Sequence, residues 1–383
     1  MAFFDGPGGT QVPRRVIDAI AGYYASSNAN THGAFITSRE TDEVIEAARR
    51  AVAEFLGAPS SATISFGANM TSLAYSLSHA LARSFRAGDE VLITQLDHEA
   101  NRGPWLLLRE RGVVVREIRI RSDATLDEED LREKVNERTR LLAIGMASNA
   151  FGTVNNLSLA RELTRSVGAL LLVDAVHFAP HFAVDVLSHG VDLLLCSAYK
   201  FYGPHVGILY AREGLLEGFQ TDRLRTQDPR APHRIETGTL NHAALVGVRA
   251  AIEYLASLGT GATLRTQIVS AMHEIARHER AIASDLFSQL QSIGGVHLWG
   301  PPFADPPRAP TVSFTLQGQR SADVAAALAD RAICTWDGHF YAIRPVEILG
   351  LLEQGGVVRA GVSLYTSHDD AERLIGEVRR IAG

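Results

Sequence analysis

The chain predicts an α/β fold: a mostly parallel sheet sandwiched by helices, followed by a smaller α+β region. Two observations carry this. From Ala62 to Tyr210 short apolar runs alternate with segments of helical periodicity, the pattern of a parallel sheet covered on both faces. From about Leu240 the alternation stops, and two helical stretches lead into short, separated strands. At 383 residues the chain is too long for one compact core. The expected organisation is a large domain over 15–240 and a smaller one over 241–383 that also takes in 1–14.

Each element has a local reason. Val12 to Ala25 reads as a helix with Pro13 in its first turn, where the missing N–H costs nothing. Asn28 to Thr37 is polar and contains glycine, so it reads as a loop. Arg39 to Leu56 is periodic and closes at Gly57. Seven strands are expected next: Ala62 to Phe66, Glu90 to Thr94, Val113 to Ile120, Leu141 to Ala147, Leu170 to Val173, Leu193 to Cys196 and Val206 to Tyr210. The near-continuous apolar runs among them are of the doubly buried type. Helices are expected over Asn69 to Arg83, Gly103 to Arg111 and Glu128 to Val135. Further on, helices over Ala243 to Leu258, Thr263 to Ile293, Ala322 to Ala329 and Asp369 to Ile381 accompany strands near Val296 to Trp299, Thr311 to Thr315 and Val357 to Gly361. Pro301 to Pro310 reads as an exposed connector.

Composition narrows the class of protein. With 46% hydrophobic and 21% charged residues and a net charge of −6, the chain is of ordinary globular type. No Lys/Arg cluster suits a nucleic-acid partner, and no apolar run reaches transmembrane length. The opening Met1 to Gly9 lacks the basic leader and apolar run of a signal peptide. The two cysteines, Cys196 and Cys334, have no metal-ligand spacing, so reduced thiols and a cytoplasmic location are expected and no metal is.

The chemistry is carried by two strand ends. Val173-Asp174-Ala175-Val176-His177 ends one apolar strand in an acid. Leu193 to Cys196 then runs into Ser197-Ala198-Tyr199-Lys200. A lysine in this position suits a Schiff base to pyridoxal 5'-phosphate (PLP), with an aspartate holding the pyridinium nitrogen protonated. The C-terminal ends of adjacent parallel strands place two such groups side by side. Either residue alone is an ordinary solvated charge; the signal is the pair at a spacing of 26 positions, enough for a βαβ step. Phe66-Gly67-Ala68-Asn69-Met70-Thr71 joins a strand to a helix, and the free N–H groups there suit a phosphate. Asn69 fits a plain helix cap better than a phosphate contact. Ser197 and Tyr199 offer hydroxyls to the same phosphate. His98 follows the strand Glu90 to Thr94, where an imidazole can stack on a cofactor ring and move protons. His177 and Asn149 each follow an apolar strand and suit the cofactor's phenolic oxygen; Asn149 also suits the substrate.

Asp174-Ala-Val-His177, Ser197-Ala-Tyr-Lys200-Phe-Tyr-Gly-Pro, Glu236-Thr-Gly-Thr239-Leu-Asn241 and Arg359-Ala-Gly-Val-Ser-Leu-Tyr365 occur in that order. Together they resemble the class V aminotransferase superfamily of fold-type-I PLP enzymes. Within it the chain is most similar to the cysteine desulfurase-like and selenocysteine lyase-like branch, which includes isopenicillin N epimerase-like proteins. The stretches Phe4 to Pro13 and Asn28 to Phe35 look like the desulfurase-like subfamily in particular. The resemblance implies Lys200 as the Schiff-base lysine, Asp174 as the pyridinium partner and His98 as the ring-stacking histidine. It implies His177 and Asn149 beside the cofactor, and Ala68 and Asn69 where desulfurases often carry two threonines. Tyr199 stands where many have histidine. It further implies that Thr239 reaches the phosphate of a partner subunit in a homodimer with shared sites, and that Arg359 binds the substrate α-carboxylate, a task suited to a planar guanidinium.

One departure bears on mechanism. A cysteine desulfurase uses a mobile cysteine that attacks the substrate sulfur and becomes a persulfide. Tyr341, in Trp336-Asp337-Gly338-His339-Phe340-Tyr341-Ala342, stands where that cysteine is expected. Cys334 reads as core, and Cys196 is buried beside the lysine strand. The expected activity is therefore C–S cleavage by β-elimination from a cysteine conjugate or cysteine-like amino acid, through a Schiff base and an α-carbanion. His98, His32 or Tyr341 would be the acid at the leaving group, with His32, Phe35, Trp336, Phe340 and Tyr341 near the substrate. Transamination, epimerisation and decarboxylation-coupled deamination use the same carbanion and stay open. A non-catalytic PLP-binding regulator is a third reading, but the chain has no helix-turn-helix extension or basic domain to support it.

Overall fold

A computed structural model describes residues 1–303 and 308–383. The connector expected over Pro301 to Pro310 therefore lies partly outside the described residues. Among the described residues thirteen strands form three sheets. Strand β1 (Ala2–Phe3) belongs to the smallest of these. The largest contains β2 (Ile64–Gly67), β3 (Glu90–Thr94), β4 (Val114–Ile118), β5 (Thr139–Gly145), β6 (Leu170–Asp174), β7 (Leu193–Ser197) and β8 (Gly207–Ala211). Its order is β2-β8-β7-β6-β5-β3-β4. Strand β8 runs antiparallel to β2 and β7; every other pairing is parallel.

Successive residues of a strand face opposite sides of its sheet. Leu142, Ile144, Leu171, Val173, Leu194 and Cys196 join the core on one face. Leu141, Ala143, Leu172, Leu193 and Leu195 join the core on the other. Both faces are dry, which is why these strands are apolar at every position rather than at alternate ones.

The third sheet combines β9 (Val296–Trp299), β10 (Thr311–Leu316), β12 (Trp336–Gly338) and β13 (Val357–Gly361) in the antiparallel order β12-β13-β10-β9. It packs on the helices Leu264–Gln291, Ser321–Ala329 and His368–Ala382 around a separate core. Strand β1 pairs in parallel with β11 (Ile333–Cys334), so the N-terminus belongs to this smaller half.

Most expected elements are present within a few residues. Three differences matter. The helix expected over Gly103 to Arg111 is a single α-turn, Gly103–Leu106, followed by a 3-10 stretch, Leu107–Arg111, which closes at left-handed Gly112. A helix over Leu157–Val167 covers β5 and β6, capped by the Asn156 side chain. The segment after Cys334 forms β12 and a short helix, Ile343–Ile348, which hold the Gly338 to Ala342 turn over the sheet. Among the described residues no helix is long and apolar enough to cross a membrane.

Candidate active site

A cavity of about 760 Å³ opens at the C-terminal ends of β3, β5, β6 and β7, roofed by β12 and the turn after it. In open parallel sheets this is the edge where ligands bind.

Asp174 ends β6, one strand from the segment that carries Lys200, with Asp174 in register with Leu195. Its Oδ1 accepts the Val176 N–H at 2.8 Å. Burial pushes its carboxyl up to about 6, against that hydrogen bond and the Lys200 charge. Lys200 closes a 3-10 turn after β7. Its Nζ donates to the Pro7 carbonyl and, at 3.1 Å, to the Gly8 carbonyl. Burial and then the Arg359 charge lower its amine to about 7, while Asp5 and Asp174 pull the other way. A lysine near 7 is a usable base in neutral water.

The opposite end of the cavity is the start of the helix Met70–Ala82. Ser197 Oγ accepts the Met70 N–H at 3.0 Å, which ties the end of β7 to that helix start. Asn69 caps the helix: its Oδ1 accepts the Ser72 N–H at 2.8 Å, completing a reciprocal capping box. Ala68, next to it, is exposed. Gly207 makes the close approach possible. A Cβ there would lie 2.3 Å from the carbonyl carbon of Asn69. Tyr199 also lines the cavity and stacks on His205 at 4.5 Å.

His98 Nδ1 accepts the Ala100 N–H at 2.9 Å, which leaves the ring proton on Nε2. Burial, followed by the Lys200 and Arg359 charges, lowers it to about 4, so the ring is neutral at pH 7. His177 is buried, with Nε2 2.9 Å from Thr311 Oγ1. Burial, His181, Arg359 and Lys200 hold it far below the usual imidazole range. Asn149 bridges the halves of the molecule. Its Nδ2 donates to the Phe340 carbonyl at 2.9 Å, and its carbonyl accepts Arg359 Nη1 at 3.0 Å.

Arg359 lies on β13, 3% exposed, with its guanidinium 4.0 Å from the Phe340 ring centre. Its Nε is buried without a partner. A buried, under-bonded guanidinium beside open volume suits an anion.

Not every expected residue reaches this cavity. Thr239 is exposed and does not line it. Phe35 is 58% exposed, and the His32 side chain is 87% exposed with Nδ1 3.3 Å from Asp42, so neither contributes to the site of its own chain. His32 is thus removed from the leaving-group acids within one chain. Tyr341 is at the cavity, 70% exposed, with its ring 5.5 Å from His98. Its carbonyl accepts the Glu99 N–H at 2.8 Å. Phe340 and Tyr341 both have left-handed backbones, φ 53° and 59°. Neither cysteine lines the cavity: Cys196 is in the sheet core and Cys334 in β11.

Two acids escaped the sequence reading. Asp97 Oδ1 accepts the Gly145 N–H at 3.0 Å and its Oδ2 accepts Asn101 Nδ2 at 2.9 Å. Burial, with Asp174 beside it, raises it to about 7. Its signal was its place just before His98, at the end of β3. Asp5, the second, lies on the N-terminal strap beside β13.

Residues 2–374 match the family described as aminotransferase class-V. The chain belongs to the class-V aminotransferase family. Within this family it is 33% identical over 393 residues to a probable cysteine desulfurase of Pseudomonas aeruginosa, covering 98% of this chain and 92% of that protein. It is 31% identical over 397 residues to a cysteine desulfurase of Escherichia coli, covering 100% of this chain and 93% of the relative. An apo cysteine desulfurase structure from Thermococcus onnurineus NA1 superposes with a TM-score of 0.89 at 26% identity, over 100% of this chain and 94% of that one. This member of the class-V family is therefore a fold-type-I enzyme of the cysteine desulfurase-like branch, a family whose members work with PLP.

Proposed function

We propose that the chain is a PLP-dependent lyase that cleaves the C–S bond of cysteine or an S-substituted cysteine by β-elimination, without a protein persulfide. The observation that carries this is the cavity wall. Tyr341 lines the cavity while neither cysteine does, and the sequence reading sets Tyr341 where a desulfurase nucleophile is expected.

The residues present fit the cofactor. Asp174 supplies a buried carboxylate for a pyridinium nitrogen. Lys200 supplies the amine that anchors the ring. The Met70 helix start and the Ser197 hydroxyl supply donors for a phosphate at the cavity. His98, Tyr199, Asn149 and His177 surround the same volume. The bound cofactor supplies a sink for the electron pair left at Cα.

Arg359, which lines the cavity, holds the α-carboxylate through its guanidinium. Lys200, neutral in about half the molecules near pH 7, removes the α-proton. The C–S bond breaks as the electron pair moves to form the Cα–Cβ double bond, and the sulfur leaves as a thiolate. A proton reaches that sulfur from the Tyr341 hydroxyl or from the ammonium that Lys200 becomes on taking the α-proton, while neutral His98 can only hydrogen-bond the sulfur through Nε2–H. Hydrolysis of the released enamine gives pyruvate and ammonia, so atoms and charge balance without an oxidant. The reading includes a homodimer: Thr239, His32 and Phe35 stand exposed together with Ile17, Tyr24 and Ile36, available to a second copy of the chain.

Product analysis tests this. PLP-loaded protein incubated with S-methylcysteine should release pyruvate and methanethiol in equal amounts, and Lys200→Ala should abolish both. A shift of the cofactor absorption band without pyruvate would refute elimination and favour transamination, epimerisation or decarboxylation-coupled deamination. No band shift with any amino acid would favour a non-catalytic PLP-binding protein.

A further inference from the structure

The N-terminal ten residues are built into the site at both ends. At one end Asp5 bridges in parallel to Gly361 of β13, and the Gly361 N–H donates to the Phe4 carbonyl at 2.8 Å. Arg359 is two residues back on the same strand. At the other end the Thr10 N–H and hydroxyl each donate to the Tyr199 carbonyl at 3.2 Å, while the Tyr202 N–H donates to the Thr10 hydroxyl at 2.8 Å. Those two contacts flank Lys200. Between them the carbonyls of Pro7 and Gly8 accept the Lys200 amine.

The strap has no slack. A Cβ on Gly361 would lie 2.1 Å from Pro7 Cδ, one on Gly6 would lie 2.1 Å from Ser363 Oγ, and one on Gly8 would lie 2.3 Å from Asp5 Oδ1. That Oδ1 is buried and has no hydrogen-bond partner. An under-bonded carboxylate oxygen is costly to bury unless positive charge lies near it. Burial raises the Asp5 carboxyl, and the Trp336 side chain followed by the Arg359 and Lys200 charges act against that rise, so the cations near it are Arg359 and Lys200.

We propose that this strap is a positioning element of the active site, in which Asp5 is the standing counter-ion of Lys200 and Arg359 and the Pro7 and Gly8 carbonyls hold the lysine amine whenever it is free. The roles of Lys200 and Arg359 rest on the function proposed above. The positioning of the amine does not depend on which reaction follows. Asp5 keeps two buried cations compatible within one cavity, and the α-carboxylate of a substrate takes over part of that neutralisation at Arg359. The other charged or titratable groups facing Lys200 are Asp174 from β6, Tyr199 from its own turn, and His98 and His177 from the loops after β3 and β6.

The test reads Lys200 directly in cofactor-free protein, by the pH dependence of its acetylation with acetic anhydride, followed by peptide mass spectrometry. Asp5→Asn keeps the shape and removes the charge. The apparent pKa of Lys200 should fall by about one unit, the size expected for loss of one nearby opposite charge. Asp5→Ser, smaller and also neutral, should lower it likewise, and Asp5→Glu should restore it. An unchanged Lys200 titration in folded Asp5→Asn and Asp5→Ser, or a fall equally large in Asp5→Glu, would overturn the proposal. A wild-type protein that titrates as described here but binds no PLP would instead count against the proposed function and leave the strap's role standing.

Discussion

Removing both cysteines separates the two ways of breaking a C–S bond. In the double variant Cys196→Ala, Cys334→Ser, a persulfide enzyme loses its nucleophile and turnover falls by several orders of magnitude. The structure argues for almost no change. Cys196, on β7, is fully buried in the core on one face of the sheet, and burial together with Asp174 pushes its thiol far up, away from the reactive thiolate. Cys334 is half-buried in β11, outside the cavity, where it pairs with Phe3. The cost is to stability alone. Deleting one buried heavy atom at Cys196 costs about 1 kcal/mol, and the half-buried Cys334→Ser adds a few tenths at most. Turnover with S-methylcysteine should stay within about twofold, since neither thiol reaches substrate. The assay is pyruvate release alongside circular dichroism to confirm folding. With cysteine as substrate, sulfur should appear as free sulfide and none as protein-bound persulfide. A folded double variant that has lost more than about tenfold of its turnover, or a persulfide trapped on either cysteine of the wild type, would refute the argument from the cavity wall.

Two further outcomes follow from buried charge. Glu236 forms a bidentate pair with Arg49 at 2.7 and 2.6 Å and accepts the Phe66 N–H at 2.7 Å, so Glu236→Ala strands a buried guanidinium beneath β2. It should destabilise the cofactor-free protein by about 3–5 kcal/mol in urea unfolding, with Arg49→Met in the same chain recovering most of the loss; equal stability of Glu236→Ala and wild type would contradict this. The pH dependence of kcat reports the substrate complex, in which the Lys200 amine is free to act. Because the amine works unprotonated and is lowered to about 7, kcat should rise tenfold per pH unit below that value and level off above it, whereas His98, near 4, adds no limb above pH 5. A limb rising to pH 10 would place Lys200 in water rather than in this pocket.

The parts that were legible in the sequence are those fixed by local patterning and by strand ends. Asp174 and Lys200 were legible because one ends and the other closely follows a run buried on both faces, and such a run leaves few polar positions to choose from. Asn69 as a helix cap was legible because capping is decided within four residues. The helix Leu157–Val167 was missed although its markers were present: Asn156 as cap, buried Leu159 and Ala160 on one face, and left-handed Gly168 after its end. Asp97 was missed because what makes it distinctive is the Gly145 N–H, 48 positions away. The turn at Phe340 and Tyr341 was illegible for a different reason. Aromatic residues rarely take a left-handed backbone, and here that conformation is held by contacts from Asn149 and Glu99 that no local pattern announces. Asp5 was visible only as part of an opening motif, because its function depends on β13, more than 350 positions later.

These distances divide the site by origin. The groups proposed to act on the cofactor, Asp174, Lys200, Ser197 and His98, come from the ends of one sheet and are positioned by its register. The groups proposed to meet the substrate, Arg359, Phe340 and Tyr341, come from the smaller sheet and its turn. Among the contacts that join the two sets are Asn149 to Phe340 and Arg359, Glu99 to Tyr341, His177 to Thr311, and the Asp5 to Thr10 strap. Thr311 lies on β10, which pairs with the Arg359 strand, so the His177 contact also sets where the guanidinium stands relative to the Lys200 amine. A change in the turn after β12 can therefore alter the cavity wall at Tyr341 while leaving Asp174 and Lys200 in place, and under the proposed function that is where a phenol stands instead of a thiol.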